Sequence, residues 1–509
     1  MSPLTVAGLF TLAAHRTPES RALVEDGTTT TYQALAEGVR TAAHGLRTDA
    51  GLEPGDRVLV MAPNGSDFVT AVLACASTAA VFVPVSTQLT PRELAHLLTD
   101  CGPRMILHAA EYADVVRAAV AQAGAETPQV AELGGFVATP RSDLADDVDN
   151  RAEPDDLLYL GYTSGTTGAP KGARVTHRNR VRSLLLQAAE FGLGRDDTHL
   201  VVSPLYHTAP LTFTLLHLCL GGTVVVTPRF DAARVAGQLC TGEVTNSFMA
   251  PAALRRVLAE LDEREPHHDL HAVIIGGAPC PGALKAAALR RLPDRLWEFY
   301  GATEVGVVTT LRPAEQAIRR DSAGRPIPGA TVEVRDPGTA RPLGRGDIGE
   351  VWVATATTCA GYVGVETAES ADPLHHVGDL GFVDDDGFLH LVDRSADVII
   401  SGGANIYSRE VEGVLESHPE VAEAAAFGVP DERWGEAVVA AVVLTGSAAT
   451  AVDILEHCRP LLATYKRPRE VVVRTELPRS QTGKLDKRRL RADFVSSRGA
   501  VAALSVREQ

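Results

Sequence analysis

The eleven residues Tyr162-Thr163-Ser164-Gly165-Thr166-Thr167-Gly168-Ala169-Pro170-Lys171-Gly172 constrain this chain more than any others. They hold three glycines, four aliphatic hydroxyls and one lysine. The apolar run Leu157-Leu158-Tyr159-Leu160 just before them reads as a buried strand. A loop of this make-up after a strand suits a polyphosphate. Glycines let backbone N–H groups approach phosphate oxygens, hydroxyls donate further hydrogen bonds, and lysine supplies positive charge. It is not the Gly-Lys-Ser/Thr loop that opens a helix, because Lys171 follows Pro170 and precedes Gly172. From composition alone a surface turn competes with this reading, since glycine and serine are ordinary turn residues.

The surrounding pattern is α/β. Arg57 to Met61 reads as a strand, Phe68 to Ala80 as a helix and Ala80 to Val85 as a buried strand, and strands alternating with helices form layers. Further strands are expected at His199–Ser203, Gly222–Val226 and His271–Ile275. Gly/Pro-rich turns from Arg312 to Gly349 separate short strands, Thr331–Val334 and Glu350–Val353, which suggests a distorted β-barrel. Beyond about residue 395 a compact α+β unit is expected. It has a helix from Ser408 to Glu416, strands at Val421–Phe427, Ala437–Leu444 and Glu470–Arg474, and a helix at Ala451–Leu462.

At 509 residues the chain exceeds one typical core. A net charge of -16 argues against nucleic acid or an anionic membrane as a general partner, though not against a nucleotide in a local cationic site. The apolar stretch Leu211–Val226 is interrupted by Thr212, Thr214, His217 and Gly221-Gly222, so no membrane span is expected. Met1–Ala14 lacks a basic start and reads as an amphipathic helix, not a signal peptide. Seven scattered cysteines without a C-x-x-C pair fit reduced thiols and a cytoplasmic location.

More chemistry-bearing segments follow in order: Ser203-Pro204-Leu205-Tyr206-His207-Thr208-Ala209-Pro210, Gly276-Gly277-Ala278-Pro279, and Glu298-Phe299-Tyr300-Gly301-Ala302-Thr303-Glu304. After these come Gly378-Asp379-Leu380-Gly381, Val392-Asp393-Arg394, Ser401-Gly402-Gly403-Ala404-Asn405-Ile406-Tyr407, and Pro478-Arg479-Ser480-Gln481-Thr482-Gly483-Lys484-Leu485. With the first loop, they resemble in order and spacing the AMP-forming adenylating enzymes: acyl- and aryl-CoA synthetases, luciferases and peptide-synthetase adenylation domains. The likeness runs from about residue 10 to 493 and is nearest to free-standing bacterial acyl-CoA synthetases.

The resemblance implies a division into 1–395, an ATP- and acid-binding domain, and 396–495, a small mobile lid; the last residues, 496–509, read as a loose tail. It implies that Thr163, Ser164, Gly165, Thr166, Thr167 and Lys171 hold ATP phosphates. Gly277, Ala278, Pro279, Glu298, Tyr300 and Gly301 would surround the adenine, and Asp379 and Arg394 the ribose. A carboxylate is the natural acceptor for a diol. Thr303 would bind the α-phosphate and Glu304 Mg²⁺, a hard cation suited to a carboxylate. Lys484 would be the adenylation lysine.

His207 would gate an acyl pocket lined by Ala209, Thr212, Phe213, Gly276 and Gly301, with Phe248 and Met249 as further candidates. A buried histidine satisfied by backbone is the alternative reading of His207. Gly402 and Gly403 would lie along a thiol tunnel for CoA, or simply form a hairpin turn. The cationic run Lys487, Arg488 and Arg489 reads as a solvated helix face. No lysine or arginine lies between Thr208 and Leu220, which disfavours a dicarboxylic acid.

The implied reaction joins a fatty or aromatic monocarboxylic acid to AMP, releasing pyrophosphate. Lid rotation follows, and then transfer to CoA. Three positions depart from the family pattern: Ala396 at the hinge, Val377 before Gly-Asp, and Ser408 where proline is usual. Ala396 keeps open another acceptor, such as a carrier-protein thiol, an amine, or nitrite as in diazo-forming homologues. A non-catalytic nucleotide-binding protein is the third reading, opposed by Lys171, Glu304, Asp379, Arg394 and Lys484 occurring together.

Overall fold

The computed structural model describes residues 4–124, 127–139, 151–163, 170–261, 264–365, 372–446, 449–479 and 485–505. Its strands alternate by the period of two that a sheet imposes. In the strand Arg57–Met61, Val58 and Val60 enter one core while Leu59 and Met61 enter another. Both faces of that sheet are therefore covered, which is why the strand reads as a continuous apolar run.

Two large sheets share a helical layer. One has six strands in the order Gln129–Glu132, Met105–His108, Arg57–Met61, Val81–Pro84, Leu157–Thr163, Lys171–Thr176. The other has nine, with Leu296–Ala302, Ala272–Ile275, Asn246–Met249, Thr198–Val201, Thr223–Val226 and Arg21–Glu25 as its parallel centre. Helices Val6–Arg16, Tyr32–His44, Ser66–Thr78 and Thr208–Leu220 contribute to one core with residues of both sheets. The helix Thr208–Leu220 is buried over nearly its whole surface, and this accounts for the long apolar stretch in the sequence. Among the described residues no helix is long and apolar enough to cross a membrane.

The segment expected to be barrel-like is a four-stranded antiparallel sheet: Ala330–Arg335, Gly349–Thr355, His375–Val383, Leu389–Arg394. Val351, Val353 and Leu389 pack it against Val308 of the nine-stranded sheet and Val305 in the turn before that strand.

After Ser395–Asp397, a 3-10 turn, a five-stranded sheet carries its own core on each face. Strand Glu470–Arg474 lies where the sequence reading puts it, and the helix after Ser408 ends at Glu416 as expected. The last helix spans Lys487–Ser505, so backbone hydrogen bonding continues past residue 496, where a loose tail was expected.

Candidate active site

The strand Leu296–Ala302 and its antiparallel neighbour Gly306–Leu311 meet in a tight turn at Thr303–Val305. A Cβ on Gly301 would collide with the Gly306 carbonyl oxygen, so this turn closes only over glycine. Strand alternation then sends Glu298 and Tyr300 to the same side. The Tyr300 hydroxyl donates to Asp379 Oδ2 at 2.6 Å. Burial, and then the Asp379 charge, push the Tyr300 phenol well above its ordinary range, so it remains a donor.

Asp379 and Arg394 lie opposite each other in register on adjacent antiparallel strands. Arg394 Nε sits 3.3 Å from Asp379 Oδ1. The Asp379 carboxylate is 7% exposed and engaged on both oxygens. Tyr300 thus converges with two residues of a later hairpin.

The residues expected at the phosphates lie where the two large sheets approach. Gly161, on the strand Leu157–Thr163, has no side chain, and a Cβ there would come within 2.8 Å of Thr303 Cγ2. Thr303 Oγ1 is 3.4 Å from Thr208 Oγ1. Glu304 Oε1 accepts from the Tyr362 hydroxyl at 3.0 Å, and Lys171 Nζ lies 5.6 Å from the Tyr362 ring centre. Tyr362 was missed in the sequence; its only signal is an aromatic after a glycine in Cys359-Ala360-Gly361-Tyr362. Lys171 opens the strand that pairs antiparallel with Leu157–Thr163, directly opposite Thr163. The hydroxyl-rich loop therefore joins the edge strand Lys171–Thr176 to its inner neighbour Leu157–Thr163. Ser164, Gly165, Thr166, Thr167 and Lys484 lie outside the described residues, as does the Thr163 side chain.

Glu298 differs from expectation. Its carboxylate is tied to Lys285 Nζ at 2.5 Å, and Lys285 also donates to the Arg320 carbonyl at 2.6 Å. Burial raises the Glu298 carboxyl and Lys285 opposes the rise. The pair braces the strand that carries Tyr300. Gly276 is buried against the Phe299 ring, and Gly277, Ala278 and Pro279 form an exposed loop at the end of the strand Ala272–Ile275.

His207 precedes helix Thr208–Leu220 at its N-terminus, its ring 4.6 Å from Tyr206 and half-buried. Ala209 is likewise part-exposed, while Thr212 is buried one turn on. Phe213 is fully buried between the His199 and Phe248 rings, with centroids at 5.7 and 5.4 Å. It can serve only as the rear wall of a pocket. Gly402 and Gly403 take left-handed φ values of 59 and 81 in a two-residue hairpin turn, and Gly402 N–H donates to the Trp434 carbonyl at 2.7 Å.

Contacts across the turn at Ala396 were not foreseen. Asp393, 2% exposed, accepts from the Ser408 N–H at 2.5 Å and from its hydroxyl at 2.8 Å. Lys487 Nζ donates to Ser408 Oγ at 2.5 Å and pairs with Glu412 at 2.7 Å. Arg488 and Arg489 are exposed as expected, but Lys487 is part of this buried cluster and not of a solvated face. The serine supplies an N–H that the usual proline lacks.

All seven cysteines are free thiols. Burial pushes Cys75, Cys101, Cys219 and Cys280 up to about 12, which suits inert packing and not a nucleophile.

With this geometry in place, comparison with known proteins identifies the class. The chain belongs to the AMP-binding enzyme family, whose model matches residues 10–363; the AMP-binding enzyme C-terminal domain matches residues 410–484. It is similar to a feruloyl-CoA synthase of Amycolatopsis sp, 37% identical and covering 94% of this chain and 97% of that one. It is also similar to the fatty acid–[acyl-carrier-protein] ligase ScoC of Streptomyces coeruleorubidus, 35% identical with 94% and 95% covered. Among solved structures, o-succinylbenzoate CoA synthetase from Bacillus subtilis, in complex with its acyl-adenylate intermediate, matches with a TM-score of 0.86. It is 29% identical, with 96% and 97% of the two chains covered.

Proposed function

We propose that this chain activates a fatty or aromatic monocarboxylic acid with ATP, forming an acyl adenylate and pyrophosphate, and then transfers the acyl group to the thiol of CoA. The observation that carries this reading is the convergence of Tyr300, Asp379 and Arg394 beside Thr303 and Glu304. A flat phenol, a buried carboxylate and a cation form a nucleoside cradle. A hydroxyl and a second carboxylate stand where phosphate charge would lie.

A carboxylate is a poor electrophile, and its attack on the α-phosphorus brings two anions together. The site residues offset that repulsion. Thr303 donates to the α-phosphate, and Lys171, with the hydroxyl loop it borders, holds the outer phosphates. Lys484 meets the charge that develops in line. Glu304, steadied by Tyr362, fits a hard divalent cation, and Mg²⁺ held there would neutralise phosphate charge. Asp379 accepts the ribose hydroxyls. His207 and Ala209 form the mouth of the acyl pocket and Phe213 its rear wall. The Gly402-Gly403 turn, bare of side chains, leaves room for a thin pantetheine chain. The seven free thiols support a reducing, cytoplasmic setting.

The residues divide into a body, 1–395, and a lid, 396–495, that turns about Ala396 between the two half-reactions. Asp393 belongs to the first and Ser408, Glu412 and Lys487 to the second, so the turn must break the Asp393–Ser408 bonds. Limited proteolysis near residue 396 is expected to differ between ATP-bound and CoA-bound enzyme, and identical digestion would count against rotation. A carrier-protein thiol is the second reading of the acceptor, favoured by the similarity to ScoC.

Mass spectrometry of reactions with Mg-ATP and fatty or aromatic acids, with and without CoA, tests the reading. AMP with an acyl-CoA mass supports it, whereas an adenylate that never becomes a thioester points to the carrier protein. Asp379→Ala removes two hydrogen bonds to a charged group, about 3 kcal/mol together, so KM for ATP should rise roughly a hundredfold. An unchanged KM would remove Asp379 from the ribose site.

A further inference from the structure

Arg180 lies on the helix His177–Phe191 and is 5% exposed. It donates through Nη1 to the Thr212 hydroxyl and through Nη2 to the Tyr159 hydroxyl. Its guanidinium carbon lies 5.0 Å from the Tyr159 ring centre. Among the described residues no carboxylate pairs with it, and its Nε is buried without a hydrogen-bond partner. A guanidinium is always charged and carries five donors in a rigid fork. Two neutral hydroxyls satisfy some donors and none of the charge. Burying a cation this way is unfavourable unless an anion joins it.

Its place says which anion. Thr212 donates to the Thr208 carbonyl at 2.6 Å, and Thr208 faces Thr303. The Tyr159 ring borders the space beside Gly161 that Thr303 also borders. The cation therefore sits one side chain behind the acyl pocket and two from Thr303. Ser183 and Gln187, bonded to each other at 2.7 Å, continue a buried polar stripe along the same helix. The rear of this pocket is thus polar on one side and aromatic, through Phe213, on the other. The absence of a cation between Thr208 and Leu220 does not exclude a second anionic group, because another helix supplies one.

We propose that Arg180 is a specificity-determining residue. It recognises a second oxygen acceptor, anionic when bound, at the end of the acid remote from the carboxylate that is adenylated. A ring hydroxyl ionised against the guanidinium would supply this chemistry on a monocarboxylic acid; a second carboxylate would supply it too, and would then replace the monocarboxylic reading by a dicarboxylic one. The inference rests on the adenylation reading for the identity of the pocket.

The test uses acids of matched length ending in methyl, hydroxyl or carboxylate, in an aromatic and an aliphatic series, with kcat/KM for pyrophosphate release as readout. Wild type should prefer an oxygen-terminated acid over its methyl twin at least tenfold, and the better of the two oxygen series names the group. Arg180→Met should erase or invert that ratio, and Arg180→Lys should keep part of it. Arg180→Met removes an unpaired buried charge, so its melting temperature should not fall. A wild-type preference for the methyl acid would overturn the proposal, as would the same ratio in folded Arg180→Met. Thermal shifts with the same acids alone read the site separately. If they separate wild type from Arg180→Met while no acid releases pyrophosphate, the adenylation reading fails and the receptor stands. No separation in either assay sinks the receptor.

Discussion

Lys484→Ala is expected to slow acyl-adenylate formation about 10²–10³-fold, while KM for ATP changes by less than about threefold. The lysine follows Lys171 by more than 300 residues in sequence, at the far end of the second matched family region. If the lid brings it to the body only for the chemical step, it meets the pentavalent charge and not the resting nucleotide. A donor aimed at charge that develops only in the transition state lowers kcat when removed. A donor to ground-state phosphate raises KM instead. On the proposed reading Lys171 donates to ground-state phosphate and Asp379 accepts from the ribose hydroxyls, so both act on the resting nucleotide and their loss should raise KM. Single-turnover pyrophosphate release at saturating ATP, compared for Lys484→Ala, Lys171→Ala and Asp379→Ala, separates the two. A Lys484→Ala enzyme with normal kcat and a raised KM would assign this lysine to ground-state binding and remove the case for a lid-delivered catalyst.

The body of the fold was open to reading because local periodicity carries it. Val58 and Val60 against Leu59 and Met61, or Val471 to Val473 beside Val439 to Val443, show their faces by alternation and chain composition alone. The meeting of Tyr300, Asp379 and Arg394 was legible for another reason: each sits in a short segment of recognisable type, and the structure brings them together. What stayed hidden is polar burial. Arg180 stands among Arg178, Asn179 and Arg182, where charge reads as a solvated face, yet the helix turns it inward towards Thr212. Lys487 was misread for the same reason, since nothing local says that Ser408 and Glu412 will face it. Nor does anything local to Glu298 say that Lys285, from the preceding helix, will pair with it. A hydropathy pattern marks which residues can be buried without loss, but it is silent on which cations will find partners.

Acid should begin to destabilise this enzyme below pH 6.5, before its ordinary carboxylates are protonated, because three histidines are buried neutral. Burial lowers His177 and His217 to about 4 and His199 to about 3. Their hydrogen bonds dictate neutral tautomers. His217 Nδ1–H donates to the Phe213 carbonyl at 2.7 Å, and its Nε2 accepts from Asn246 at 3.0 Å. Asn246 Oδ1 in turn accepts from His199 Nδ1 at 2.7 Å. His177 Nδ1 accepts from the Val6 N–H at 3.3 Å, which leaves the proton on a buried Nε2 without a partner.

The sign follows from linkage. Below the unfolded value of about 6.5 the unfolded chain binds protons that the native rings refuse. Stability is therefore full above pH 6.5 and falls as pH drops towards 4. Three such groups remove up to about 4 kcal/mol per pH unit. Glu416 acts in the opposite sense. Burial raises it to about 7, so the native state takes up a proton between about 7 and 4.5 and regains about 1.4 kcal/mol per unit. Glu298, Glu412, Asp397 and Asp67, also raised by burial, act in the same sense as Glu416, so the net loss stays below roughly 2.7 kcal/mol per unit and ends near pH 4, where the native rings take up their own protons. Urea unfolding at pH 7.5, 6.5, 5.5 and 5.0 measures the slope, and His199→Gln and His217→Gln should each flatten it by about one proton. A flat profile from pH 7.5 to 5.0 would mean that these rings are charged in the native state, and the tautomer network built on Asn246 would have to be redrawn.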